Sequence, residues 1–157
     1  MVFQGTTEIK RGKNDRDPFA EMMADPAFNR YMPGPFDRAD SDVMVDRFQE
    51  RFEVDGFSMW VAELPGEALF IGCVGLNIPR TLLPCGPCVE IGWRILPRFW
   101  NHGYATEGAL ALLRFGFEEV GLEEIVSFTV ADNLASRRVM EKIGMVHDPD
   151  GDFEHPG

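Results

Sequence analysis

Val89-Glu90-Ile91-Gly92-Trp93-Arg94-Ile95-Leu96-Pro97-Arg98-Phe99-Trp100-Asn101-His102-Gly103-Tyr104-Ala105-Thr106-Glu107 is the stretch that decides the fold. Residues 89–96 read as a buried strand, the run to Gly103 as a tight turn, and the residues after it as a helix. A strand that passes through a glycine turn straight into a helix aims backbone N–H groups, and the positive end of the helix dipole, at one point beyond the strand. Such an arrangement holds a pyrophosphate. An acyl-CoA or nucleotide site is therefore expected on Trp100, Asn101, His102, Gly103, Tyr104, Ala105 and Thr106.

Working outward, residues 124–130 are almost wholly strand-forming types and read as a second strand after the helix. That helix carries Leu110, Leu113, Phe117 and Val120 on its expected inner face and stops at Gly121. Asp132 or Asn133 caps a further helix, with Ala135, Val139 and Ile143 facing inward and Gly144 just past its end. Upstream, residues 58–64 and 68–78 flank the turn Pro65-Gly66-Glu67 and read as a β-hairpin. Before it lie a weak strand over 6–10, a short helix over 17–24, the loop Tyr31-Met32-Pro33-Gly34-Pro35-Phe36, and a helix capped by Asp40 or Ser41 and ended by Asp55-Gly56. An antiparallel hairpin before a strand–helix–strand–helix run implies a mixed α/β sheet flanked by helices on both faces. A purely parallel nucleotide-binding fold does not fit.

The chain has 157 residues, enough for one domain with a real core and too few for two. Asp and Glu total 26 against 15 Lys and Arg, a formal charge of -11, so a nucleic acid or anionic membrane partner is not expected. A cationic amine is the kind of partner such a charge attracts. Three cysteines form no disulfide framework, no apolar run reaches membrane-spanning length, and the first residues lack a basic-then-apolar leader; the expected location is the cytoplasm.

Three blocks in this order resemble the GNAT superfamily of N-acyltransferases, within it the ribosomal-protein N-acetyltransferase (RimJ/RimL-like) branch. They are Glu90-Ile91-Gly92-Trp93, the turn from Trp100 to Glu107, and Asn133-Leu134-Ala135-Ser136-Arg137-Arg138-Val139-Met140-Glu141-Lys142-Ile143-Gly144-Met145. The resemblance implies acetyl-CoA as co-substrate, no metal, and transfer to a primary amine, on a protein N-terminus or a small molecule, by direct attack in a ternary complex. The pyrophosphate turn falls on Trp100, Gly103 and Ala105, with Asn101 where glycine is more frequent; asparagine accepts a positive φ better than most residues.

Glu90 stands where the family's general base falls. An ammonium acceptor must lose a proton before it attacks, so a carboxylate there meets a need of the reaction. Ile95 and Leu96 match a strand bulge whose freed N–H groups bind the acetyl carbonyl and pantetheine. Met140 stands where many members carry an acidic tyrosine, which leaves Ser136, one helical turn earlier, as the hydroxyl near the sulfur. Asn133 is expected at the pantetheine amides, Arg137 with Arg98 and Arg138 at the CoA phosphates, and Tyr31, Met32, Pro33 and Trp60 around the acceptor. The other class of function compatible with these residues is an acyl-CoA-binding or interaction module without turnover.

Relatives continue with one more strand beside residues 124–130, and this chain stops at Gly157. The reading therefore expects a single domain over 1–157, truncated or atypical at both ends, with the final strand missing. An open edge would then lead either to self-association, a possible homodimer, or to lower stability with a disordered tail after Met145. Cys85-Gly86-Pro87-Cys88 has thioredoxin-like spacing but precedes a strand rather than opening a helix, so redox catalysis is not expected. His102, His147 and His155 show no ligand spacing for a metal.

Overall fold

The computed structural model describes residues 2–8 and 13–154. Four strands, β1 (Val2–Glu8), β2 (Met59–Leu64), β3 (Ala68–Asn77) and β4 (Glu90–Ile95), form one sheet in sequence order, each pair antiparallel. α1 (Lys13–Ala24) and α2 (Arg38–Asp55) cover one face; α3 (Tyr104–Arg114) covers the other, and α4 (Leu134–Lys142) packs on α3. Two cores result. Phe19, Met22, Met23, Val45, Phe48, Met59, Val61 and Cys73 fill the α1–α2 side, and Trp60, Val74, Leu76, Ile91, Ile95, Ala109 and Leu112 fill the α3 side.

Local chemistry accounts for the element ends. α2 begins at Asp37, not at Asp40 or Ser41 as expected, because Asp37 and Asp40 each accept from the other's backbone N–H in a capping box. Gly56, at φ 81, closes the helix. The first strand runs over Val2–Glu8 rather than 6–10, and residues 9 and 10 lie outside the described residues. Close approach explains the glycines of β3: a Cβ at Gly75 would meet the Ser58 carbonyl oxygen at 2.2 Å, and one at Gly72 the Arg94 carbonyl oxygen at 2.0 Å.

Four expectations need correction. Residues 124–130 do not form a ladder strand: one parallel bridge joins Val126 to Glu90, after which the backbone departs from β4. Strand propensity there lacks a continuous partner, and propensity yields to pairing. On the helix after the turn, Leu110 and Phe117 are both 46% exposed, and the core takes Gly108, Ala109, Leu112 and Gly116 instead. Small residues win that face because the helix lies close to the sheet; a Cβ on Gly116 would come within 2.7 Å of Ile125 Cδ1. On α4 the inward residues are Ser136, Val139 and Ile143, and Ala135 is exposed. Of the two outcomes expected of an open edge, the disordered tail after Met145 is not what the described residues show: Pro149–Gly151 form a turn, and Phe153 stacks edge-on against Phe128, ring centroids 5.1 Å apart.

Two glycine substitutions separate close approach from mere flexibility. Gly75→Ala is expected to destabilise the protein by about 1–3 kcal/mol in urea unfolding, since backbone rather than a mobile side chain blocks the Cβ. Gly92→Ala, whose Cβ meets nothing within 4 Å, is expected to change stability by less than about 0.5 kcal/mol.

Candidate active site

The site grows from the unequal use of the two edges of β4. Leu96 N donates to Ile71 O at 2.9 Å, so the backbone of positions 90, 92, 94 and 96 faces β3. On the other edge Ile91 N donates to Val126 O at 2.8 Å, Val126 N to Val89 O at 2.9 Å, and Ser127 Oγ to Ile91 O at 2.9 Å. Beyond that point the neighbouring chain has left. By alternation the N–H groups of Trp93 and Ile95 face the widening gap.

This revises the expected donors. No bulge interrupts β4, whose register against β3 runs unbroken from Asn77↔Glu90 to Gly72↔Ile95. Leu96 cannot offer its N–H, which Ile71 already takes. The N–H of Trp93, not of Leu96, lies on the open edge beside the N–H of Ile95, and the Trp93 indole Nε1 donates to Ser136 Oγ at 3.4 Å. Alternation along the strand, applied to the backbone as well as the side chains, is the signal that singles out Trp93.

The turn is held where the sequence places it. Asn101 has φ 63 and Gly103 φ 85, two left-handed residues in one tight loop. Trp100 Nε1 donates to Ile95 O at 2.7 Å, hooking the turn onto the end of β4. His102 Nδ1 lies 2.7 Å from Trp100 O; a carbonyl only accepts, so this nitrogen carries the proton. The His102 ring stacks on Tyr104 with centroids 5.6 Å apart. Gly103 caps α3 without a side-chain hydrogen bond, and the first helical bond is Glu107 N to Gly103 O at 2.9 Å. The N–H groups of Tyr104, Ala105 and Thr106 therefore point out of the helix end, an anion seat.

Asn133 caps α4 by accepting from Ser136 N at 3.2 Å. Arg137 Nη1 donates to Ala131 O at 3.2 Å, and Arg98 lies over the Phe99 ring at 5.0 Å. Ser136 meets the Trp93 indole, with Asn133 one hydrogen bond behind it; Arg98, Arg137 and Arg138 are exposed. Trp60, expected beside the acceptor, is buried between Phe52 and Phe115 at 5.0 and 5.4 Å and belongs to the core. Tyr31 is 39% exposed under the Arg30 guanidinium, Pro33 is exposed, and Met32 packs on the α1–α2 core.

Glu90 lies at the start of β4, on the face shared with Gly92 and Arg94. An open cavity of about 320 Å³, lined by Ile78, Pro87, Cys88, Val89 and Glu124, adjoins that end of the strand. Cys85 Sγ and Cys88 Sγ are 3.9 Å apart there. Burial first, then the hydrogen bond with Cys85 and the nearby charges of Glu90 and Glu124, push the Cys88 thiol up to about 11. Among the described residues no group of three or more His, Cys, Asp or Glu side chains is placed to hold a metal, and His155 lies outside them.

A family model described as an acetyltransferase (GNAT) domain matches residues 10–146. The FsC-acetyl coenzyme A-N(2)-transacetylase of Aspergillus fumigatus is 38% identical over 141 residues, 86% of this chain and 56% of that protein, so the match spans little more than half the relative's length. An acetyltransferase from Agrobacterium tumefaciens superposes with a TM-score of 0.80 at 27% identity, over 92% of this chain and 82% of that one. RimJ of Mycobacterium smegmatis, solved with CoA-disulfide, shares the fold at 21% identity, with a TM-score of 0.62 over 83% of this chain and 65% of that one.

Thiol reactivity tests the geometry at the start of β4. With iodoacetamide at neutral pH, Cys85 is expected to alkylate well before Cys88, because a raised pKa keeps Cys88 protonated; the Cys88 rate rises only toward pH 11. Mass spectrometry of timed digests reads both.

Proposed function

Because the chain belongs to the GNAT acetyltransferase family, we propose that it transfers an acetyl group from acetyl-CoA to a primary amine by direct attack in a ternary complex. The observation that carries this reading is the uncapped start of α3, fastened by Trp100 beside the open edge of β4. One seat suits a pyrophosphate, and the other suits the pantetheine arm and the acetyl carbonyl.

In this reading the N–H groups of residues 103–106, aided by the helix dipole, bind the pyrophosphate, with Arg98, Arg137 and Arg138 as peripheral cations. The Trp93 and Ile95 N–H groups receive the acetyl oxygen and stabilise the negative charge that develops there as the amine attacks. Glu90 takes the proton from the acceptor ammonium, directly or through water. Ser136 already accepts from the Trp93 indole, which leaves its own O–H to donate to the departing CoA sulfur. Tyr31, Met32 and Pro33 border the acceptor entrance. The three sequence blocks support a place near the RimJ/RimL-like branch, and the name of the 38% identical relative supports a nitrogen acceptor. The charge of -11 supports a small-molecule or peptide amine over a nucleic acid or membrane, in a cytoplasmic protein.

Glu90→Gln keeps the side-chain shape and removes its basicity. Turnover is expected to fall about 10²-fold and its pH profile to move upward, with acetyl-CoA affinity retained. An unchanged pH profile removes Glu90 from the mechanism. Gly103→Val directs a branched side chain into the open space over the turn and strains a residue at φ 85. Calorimetry is expected to show at least a tenfold loss of acetyl-CoA affinity in the folded variant, roughly 1.4 kcal/mol. A protein that binds acetyl-CoA yet releases no thiol with any amine is instead a silent binding module.

A further inference from the structure

We propose that the acceptor amine carries a carboxylate, which Arg94 binds on the α2-facing side of β4; this rests on the acyl-transfer reading above. Despite the net charge of -11, Arg47 and Arg51 on α2, Arg80 in the loop after β3 and Arg94 on β4 form one electrostatic cluster, in which the charges of the other three act on Arg51. Asp55 pairs with Arg80 at 2.7 Å. Among the described residues no carboxylate lies within ion-pair distance of Arg94 or Arg51, although both are half-buried. The contacts of Arg94 are with soft groups: Nη1 is 2.7 Å from Met44 Sδ, and the guanidinium lies 5.4 Å over the Phe48 ring.

Those contacts hold the planar head in place without neutralising it. Burial and the charges of Arg80, Arg47 and Arg94 lower the Arg51 pKa, with only Asp55 opposing, so the whole cluster favours an incoming anion. Room for one exists. Arg94 shares its face with Glu90 and Gly92, and a Cβ added at Gly92 would meet nothing within 4 Å beyond its chain neighbours among the described residues. An amine over Gly92 places a group two residues along the strand, about 7 Å away, beside the Arg94 fork. A bidentate guanidinium–carboxylate pair is the strongest contact that such a fork makes. The substrate class is therefore an amino acid or short peptide whose carboxylate stands several bonds from the reacting amine.

The test uses matched acceptors that differ only in that group: β-alanine, glycylglycine and 6-aminohexanoate, each against its primary amide, with thiol release from acetyl-CoA as readout. Wild-type kcat/KM is expected to favour the carboxylate member of at least one pair by roughly tenfold or more. Arg94→Met, which keeps a side chain able to pack on Phe48, is expected to erase that preference by raising KM for the carboxylate member alone. Arg94→Lys should retain part of it. Equal kcat/KM within every pair overturns the proposal, and so does an equal loss for both members in Arg94→Met, the pattern of a purely structural arginine. A wild-type protein that uses neither member of any pair overturns it as well. In that case spermidine turnover together with acetyl-CoA binding shows that the acyl-transfer reading stands without it, and absence of both shows that the two fall together.

Discussion

The structure depends on one imbalance: β4 is fully paired on one side and almost unpaired on the other. A buried strand ordinarily satisfies both rows of backbone groups, because an orphaned N–H costs about as much as a lost hydrogen bond. Here the β3 side is a complete ladder from residue 90 to residue 95. The other side is closed by the single Val126 bridge and then opens. The open donors are a standing cost to the fold, one that the acetyl carbonyl of the proposed reaction would recover.

The rest of the molecule is arranged to make that imbalance tolerable. Gly72 and Gly75 draw β2 and β4 tightly onto β3, so the paired side is as secure as close backbone contact allows. Gly116, in the wider helical turn Phe115–Val120 that continues α3, lets that turn press on Ile125 and Leu76, which braces the neighbouring segment at the point where it departs. On the opposite face the α1–α2 core supports Arg94 through Phe48 and Met44, and that face remains open over Gly92. In the proposed reaction one strand thus presents its edge to one substrate and its face to the other.

Much of this was legible in the sequence, and the failures have identifiable causes. Turn chemistry is local, so the sequence alone places the turn over residues 100–106 and marks Asn101 as a residue that tolerates the positive φ it adopts. Hairpin, helix order and the Asn133 cap follow from periodicity and short-range hydrogen bonding. Residues 124–130 misled because strand propensity reports side-chain suitability and not the presence of a partner. Leu110 and Phe117 misled because the largest apolar residues were assigned to the core, whereas the tight helix–sheet contact selected small ones. Trp93 was missed and Leu96 overvalued because which way a strand N–H points depends on the register with β3, a nonlocal fact. Arg94 carries no local signal at all: a lone arginine in a strand becomes conspicuous only when its surroundings prove to hold no acid.

The indole of Trp100 bears on molecular recognition by length. It ties the turn proposed to seat a diphosphate to the carbonyl of Ile95, whose own N–H is one of the proposed acyl donors. The two ends of a long, flexible ligand are therefore measured against a span set by a single side chain. Such a site works as a caliper: a thioester whose arm is too short or too long can fill one jaw but not both, and chain length is discriminated without any contact along the arm itself.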